Sequence, residues 1–156
     1  MSTRVLAISA LVLWLVTVGV AATMFVGGKT TGGSDGRTAI VLEEAERDLV
    51  LAEMRTMLDS VQGIVSGLSE ENMEQVSKAA KASGMAIAGD VPPSVMGKLP
   101  LEFKQMGMGV HRGFDELSVS VQQELPPDMI LGQLGEQLNS CVACHASYQI
   151  RVNQED

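Results

Sequence analysis

The chain reads as all-α: an antiparallel four-helix bundle behind an N-terminal transmembrane helix. Three observations predict this. Apolar residues recur at helical spacing through most of the sequence, paired prolines interrupt that pattern at two places, and residues 1–26 are dominated by one apolar run.

The N-terminal run comes first. Residues 5–26 are apolar apart from a few Ser, Thr and Gly, and they follow a lone Arg4. A bilayer-spanning helix needs about 20 apolar residues, whereas the core of a cleaved signal needs only about 7–15. Length therefore favours a retained signal anchor over residues 1–26. The small residues of Val20-Ala21-Ala22 keep a cleaved signal, with a soluble periplasmic product, as the alternative. Arg4 before the span is balanced by Lys29 and Arg37 after it, so positive charge alone does not orient the helix.

Residues 27–37 are glycine-rich with nothing apolar to bury, which reads as a flexible linker. Residues 38–156 are then the folded domain. From Thr38 onward lie 18 of the 19 Asp and Glu but only 8 of the 11 Lys and Arg, a formal charge of −10. Nucleic-acid binding is excluded on that ground, because a phosphate backbone needs a basic face. An acidic surface suits solubility, and equally docking to a basic protein.

Within the domain the spacing predicts a first helix over 39–68, with Val50, Met54, Met57, Val61, Ile64 and Leu68 on one stripe. Ser69, with Glu70 and Glu71 behind it, reads as the start of a second helix over 70–88, which carries Met73, Val76, Ala80, Ser83 and Ile87 on one face. Gly89-Asp90 ends it, and Val91-Pro92-Pro93 turns the chain. A short connecting piece over 94–99 has room for one helical turn. Pro100 suits the first position of a third helix reaching about 124, with Phe103, Met106, Val110, Phe114, Leu117 and Val121 in order. After Leu125-Pro126-Pro127, Asp128 is expected to cap a fourth helix whose stripe is Leu131, Leu134, Leu138, Cys141, His145 and Tyr148. No stretch is expected to form a strand.

Cys141-Val142-Ala143-Cys144-His145 carries the chemistry. Cys-x-x-Cys-His reads as covalent attachment of one c-type haem, with thioethers at Cys141 and Cys144 and His145 as the proximal iron ligand. On a helix, Cys141 lies one turn from both Cys144 and His145, so thioethers and imidazole can meet one porphyrin. Three other readings compete. A redox disulfide favours a helix N-terminus, far from this pair; a structural zinc needs a fourth ligand, with only His111 left among histidines; an inert pair would form a disulfide after export. The core is also short of aromatics, with Phe103, Phe114 and Tyr148 alone beyond the linker, and a macrocycle would fill that gap. Gly107, Gly109 and Gly113 crowd the third helix at about 1 kcal/mol each relative to Ala, consistent with close approach of either a macrocycle or a neighbouring helix.

The arrangement resembles the cytochrome c′ and cytochrome c-556 group, four-helix bundles whose haem is attached near the end of the last helix. The resemblance covers residues 39–151 and is most specific over 141–148. Tyr148 matches the group's Cys-x-x-Cys-His-x-x-Tyr-Arg pattern, but Gln149 stands where the group has Arg, and the nearest arginine is Arg151. The anchor is a second departure, since members are mostly soluble. The resemblance, and c-type maturation generally, imply a domain on the outer, periplasmic face of a bacterial inner membrane, and a tendency to homodimerise.

The resemblance also implies that the residue on the other face of the iron comes from mid-way along the first helix. Met there gives a six-coordinate electron-transfer haem; an apolar residue leaves a site for small gases. Met54 is the candidate distal ligand, with Met57 next along the same stripe, and both are equally good core filling. His111 is the remaining ligand type, more often structural in such a place, and Arg55 suits either a haem propionate or the surface beside Glu53. Electron transfer with redox partner proteins is the leading expectation, gas binding of the c′ kind the alternative. A third is a small subunit of a respiratory complex, with Thr17, Gly19 and Thr23 as the helix contact face. Nothing else in the chain has the pattern of an enzyme active site.

Overall fold

The computed structural model describes residues 2–153 and is mostly helical, with one apolar helix at the N-terminus. That helix, α1 (Thr3–Gly27), buries no residue against the rest of the chain and is long and apolar enough to cross a membrane. The domain behind it runs β1 (Thr30–Gly32), β2 (Thr38–Leu42), α2 (Glu44–Ser69), α3 (Met73–Lys81), α4 (Met85–Ala88), α5 (Pro93–Met96), α6 (Leu101–Gln122), α7 (Pro127–Ser147) and β3 (Tyr148–Val152). α2 packs on α3, α3 on α6, and α6 on α7, with α7 also touching α2.

The three strands are the main departure from the sequence reading. They form one sheet in the order β1-β2-β3, with β1 antiparallel and β3 parallel to β2. β2 is the central strand, and Ala39, Ile40 and Leu42 are fully buried. A strand buried on both faces shows a continuous apolar run instead of alternation, so 38–42 merged with the helical pattern that follows. Glu43 ends the strand and starts α2 with a capping box, in which its backbone N–H donates to Glu46 Oε2 at 3.0 Å. β3 does alternate, with Tyr148, Ile150 and Val152 against Gln149 and Arg151, but Tyr148 also continues the stripe of α7 and so read as helix. β1 falls inside the segment whose composition reads as a linker.

The helix boundaries moved for identifiable reasons. α3 starts three residues later than Ser69 and Glu70 suggest. The chain first turns through Glu71 at φ 56°, and Asn72 caps α3 by accepting from the Gln75 N–H at 3.0 Å. Gly67 allows that turn, since a Cβ there would come within 2.8 Å of Val76. The expected second helix breaks at Ser83-Gly84, because Asp115 of α6 accepts from the Met85 N–H at 3.0 Å and starts α4 anew. At the head of α7, Pro126 is the cap residue and Asp128 lies in the first turn, favourable to the helix dipole, instead of capping it.

Two apolar clusters result. One gathers Ile64, Val76, Ala80, Val110, Phe114, Leu117, Ile130 and Leu134 between the helices. The other gathers Ile40, Leu42, Val50, Val95, Leu99 and Phe103 under the sheet. The seam between them positions the site.

Candidate functional site

Cys141, Cys144 and His145 lie on the last turns of α7, just before it passes into β3. Both thiols are free and half-buried, and Cys141 packs against the helical cluster while Cys144 packs against the sheet-side cluster. α2 repeats the division: Met57 packs against the first cluster and Met54 against the second. All five residues line one mainly apolar cleft of about 550 Å³, completed by residues of α6 that include Phe103, Met106, Gly107 and Val110.

The electrostatics of the thiols distinguish among the chemistries open to a Cys-x-x-Cys pair. Burial pushes both thiols up from their ordinary range, and the neighbouring Cys141 raises Cys144 further. Such thiols are protonated at neutral pH, the reverse of what a disulfide-exchange pair needs. Among the described residues no three His, Cys, Asp or Glu side chains converge on a point where an ion would sit. The cleft therefore offers a bound group two thiols and an imidazole on one wall and two methionine thioethers on the other.

The crowded glycines of α6 separate by role. Gly113 faces α7, where a Cβ would come within 2.8 Å of Gln137 Oε1, so helix packing accounts for it. Gly107 lines the cleft, and a Cβ there would meet nothing within 4 Å. Its absent side chain leaves space on the cleft wall at a cost of about 1 kcal/mol in helix propensity.

His111 borders the cleft but is committed elsewhere. It is buried, its Nδ1 lies 2.8 Å from the Ser83 carbonyl oxygen, and its Nε2 lies 3.1 Å from Glu53 Oε1. Both partners are acceptors, so only the doubly protonated ring satisfies both. The bond to Glu53 raises the His111 pKa above 6.5, against an opposing effect of burial, and Ser83 and the charge of Asp115 act in the same direction as Glu53. A raised folded-state pKa contributes stability that is complete below the unfolded value near 6.5 and is lost as pH rises through the folded value. The denaturant midpoint of the full chain is therefore expected to fall between pH 6 and pH 8.5 by more than that of His111→Gln. Parallel curves for the two proteins would show that the ring is not charged in the fold.

Two residues near the motif had no signal that singled them out. Glu53 holds His111, a pairing invisible until the fold brings α2 and α6 within side-chain reach. Arg37, from the glycine-rich segment, donates through Nη1 to the carbonyl oxygens of His145 at 3.2 Å and Tyr148 at 3.4 Å. It thus places a cation at the C-terminal end of α7 and borders a space shared with Met54, Cys144 and His145. Arg55, which suits either a propionate or the surface beside Glu53, is exposed. Tyr148 packs edge-on to Phe103 with ring centroids 5.5 Å apart, and its hydroxyl donates to Glu102 Oε2 at 3.2 Å. Comparisons with protein-family models, curated proteins and solved structures find no match for this chain.

Proposed function

We propose that the chain is a membrane-anchored monohaem c-type cytochrome that transfers electrons on the outer face of a bacterial inner membrane. In this reading α2, α3, α6 and α7 are the four helices of a cytochrome c′ or c-556-like bundle. The observation that carries it is the shared cleft: Cys141, Cys144 and His145 on one wall, Met54 and Met57 on the other, apolar surfaces between. The donor set fits haem c. Cys141 and Cys144 would hold the porphyrin through thioethers, His145 would ligate the iron, and Met54 would complete the coordination from α2. The haem would supply one-electron redox chemistry, and the chain does the rest. The apolar walls would shield the group from water, which with a Met–His ligand pair favours the reduced state. Arg37 holds the backbone carbonyls of His145 and of Tyr148, which follows it.

Redox proteins in the same membrane are the partners in this reading, and α1 is the means of meeting them. Thr17 and Thr23 satisfy their hydroxyls on backbone carbonyls within α1, and Gly19 and Thr23, one turn apart, share a face that can pack closely on another helix, with Thr17 on the side away from Gly19.

One observation favours the alternative of a five-coordinate gas-binding haem. The cleft shares Val50, Phe103 and Gly107 with a second, smaller apolar space, which a small neutral ligand could enter. The deciding experiment is an optical spectrum of the full chain, purified in detergent from a host competent in c-type maturation, oxidised and reduced, with and without carbon monoxide. Electron transfer predicts a low-spin reduced spectrum indifferent to carbon monoxide. A high-spin spectrum that shifts promptly with carbon monoxide would move the function to gas binding. Absence of covalent haem would overturn both readings.

A further inference from the structure

α1 and the domain are joined without slack. Gly28 follows α1 directly at φ +63°, and a Cβ there would come within 2.5 Å of the Lys98 carbonyl oxygen and 2.6 Å of Pro100 N. The Lys29 N–H donates to the Lys98 carbonyl at 2.7 Å, and the Val41 N–H of β2 donates to the Lys29 carbonyl at 2.8 Å. β1 then pairs with β2 from Thr30 onward. The segment whose composition suggests flexibility is thus bonded from its third residue to two parts of the domain.

Lys104 closes the joint from α6. It is only 8% exposed, its Nζ donates to the Phe25 carbonyl at 3.1 Å, and it lies 3.8 Å above the centre of the Phe25 ring. A cation at the C-terminal end of α1 is favoured by the helix dipole, and the aromatic face adds to this. Swinging the domain away would forfeit both contacts together with the backbone bond from Lys29 to Lys98.

The length of α1 turns this joint into a position. Its 25 residues reach about 37 Å at about 1.5 Å each, against a hydrocarbon core of about 30 Å. Little helix is left to project, so the residues packed on its end lie at the headgroup layer. Phe103 adjoins Lys104 in sequence, Gly107 is one turn on, and both line the cleft that also holds Cys141 and His145. Whatever the tilt of α6, the nearest wall of the cleft is within about 10 Å of the end of α1, measured along the helix at about 1.5 Å per residue.

We infer that the 98–105 end of the domain is a membrane-contacting surface, and that the joint at Gly28 and Lys104 holds the Cys141–His145 cleft at the lipid headgroup layer. This rests on the reading of α1 as a membrane span. It replaces a domain free to swing on a tether with one that exchanges electrons at the plane of the membrane.

The test places a photoactivatable benzophenone side chain at exposed Gln105 in the full chain, reconstituted in phospholipid vesicles. Covalent lipid adducts are expected at this position. Six Gly and Ser residues inserted between Gly28 and Lys29 should reduce their yield several-fold. Retained carbonate-resistant membrane association and an unchanged haem spectrum would show that anchor and fold survive the insertion. Absence of adducts in the parent protein, or a yield unaffected by the insertion, would overturn the inference while leaving the haem reading intact. Release of the parent protein by carbonate would overturn the membrane span itself. Absence of haem with adducts still formed would reject the proposed function and leave the membrane-contacting surface standing.

Discussion

Met54→Ala in the haem-loaded protein is expected to turn a low-spin spectrum high-spin and to make the reduced protein bind carbon monoxide. Met57→Ala is expected to do neither. The two methionines share a helix face and a cleft, but they differ in what surrounds them. Met54 packs against the cluster that contains Cys144, Tyr148 and Phe103, and it also borders the space beside His145 and Arg37. Met57 packs against the helical cluster with Cys141. Loss of a thioether ligand removes one axial bond and exposes the iron to exogenous ligands, a qualitative change rather than a graded one. The reduction potential should fall at the same time, because a thioether stabilises the ferrous state. Should Met57→Ala produce the change and Met54→Ala not, the assignment passes to Met57. Should neither do so, the distal side is open and gas binding becomes the better reading.

The second large effect concerns the fold. Phe114→Ala is expected to destabilise the domain by about 3–5 kcal/mol, the usual range for deleting a buried aromatic ring. Phe114 is 1% exposed and lies in the helical cluster with Ile64, Val76, Leu117 and Leu134. Domains of this kind are typically stable by about 5–15 kcal/mol, so the loss is a large fraction of the whole. Leu131→Ala is the control. Leu131 is 52% exposed, and a surface change of this sort usually stays within about 0.5 kcal/mol. Denaturant midpoints of the two variants, measured on the full chain in detergent, should separate clearly. Equal midpoints would show that the cluster around Phe114 does not hold the helices together.

The sequence by itself determined what depends on local pattern. Helical periodicity located α2, α6 and α7 to within a few residues at most ends, since the repeat of apolar positions and the proline breaks are properties of neighbouring residues. Length and apolarity identified α1. The stripe rule placed Cys141, His145, Met54 and Met57 on one face each of α7 and α2, and the structure brings all four to one cleft, but His145 is exposed there, and at the head of α7 Ile130 is buried where the stripe expected Leu131.

What tertiary structure alone decided depends on residues far apart in the chain. β2 and β3 pair across more than a hundred residues, and no local window can register that Thr38 lies beside Tyr148. Asp115 breaks the helix at Gly84 from another element, so the break leaves only a lone glycine as its local trace. Arg37 reaches His145, Glu53 reaches His111, and Lys104 reaches Phe25, each by a side chain whose partner is set by packing. Composition made 27–37 look free because glycine lowers the cost of many conformations equally. Backbone bonds to Lys98 and to β2 select one of them, and those bonds exist only once the domain has folded.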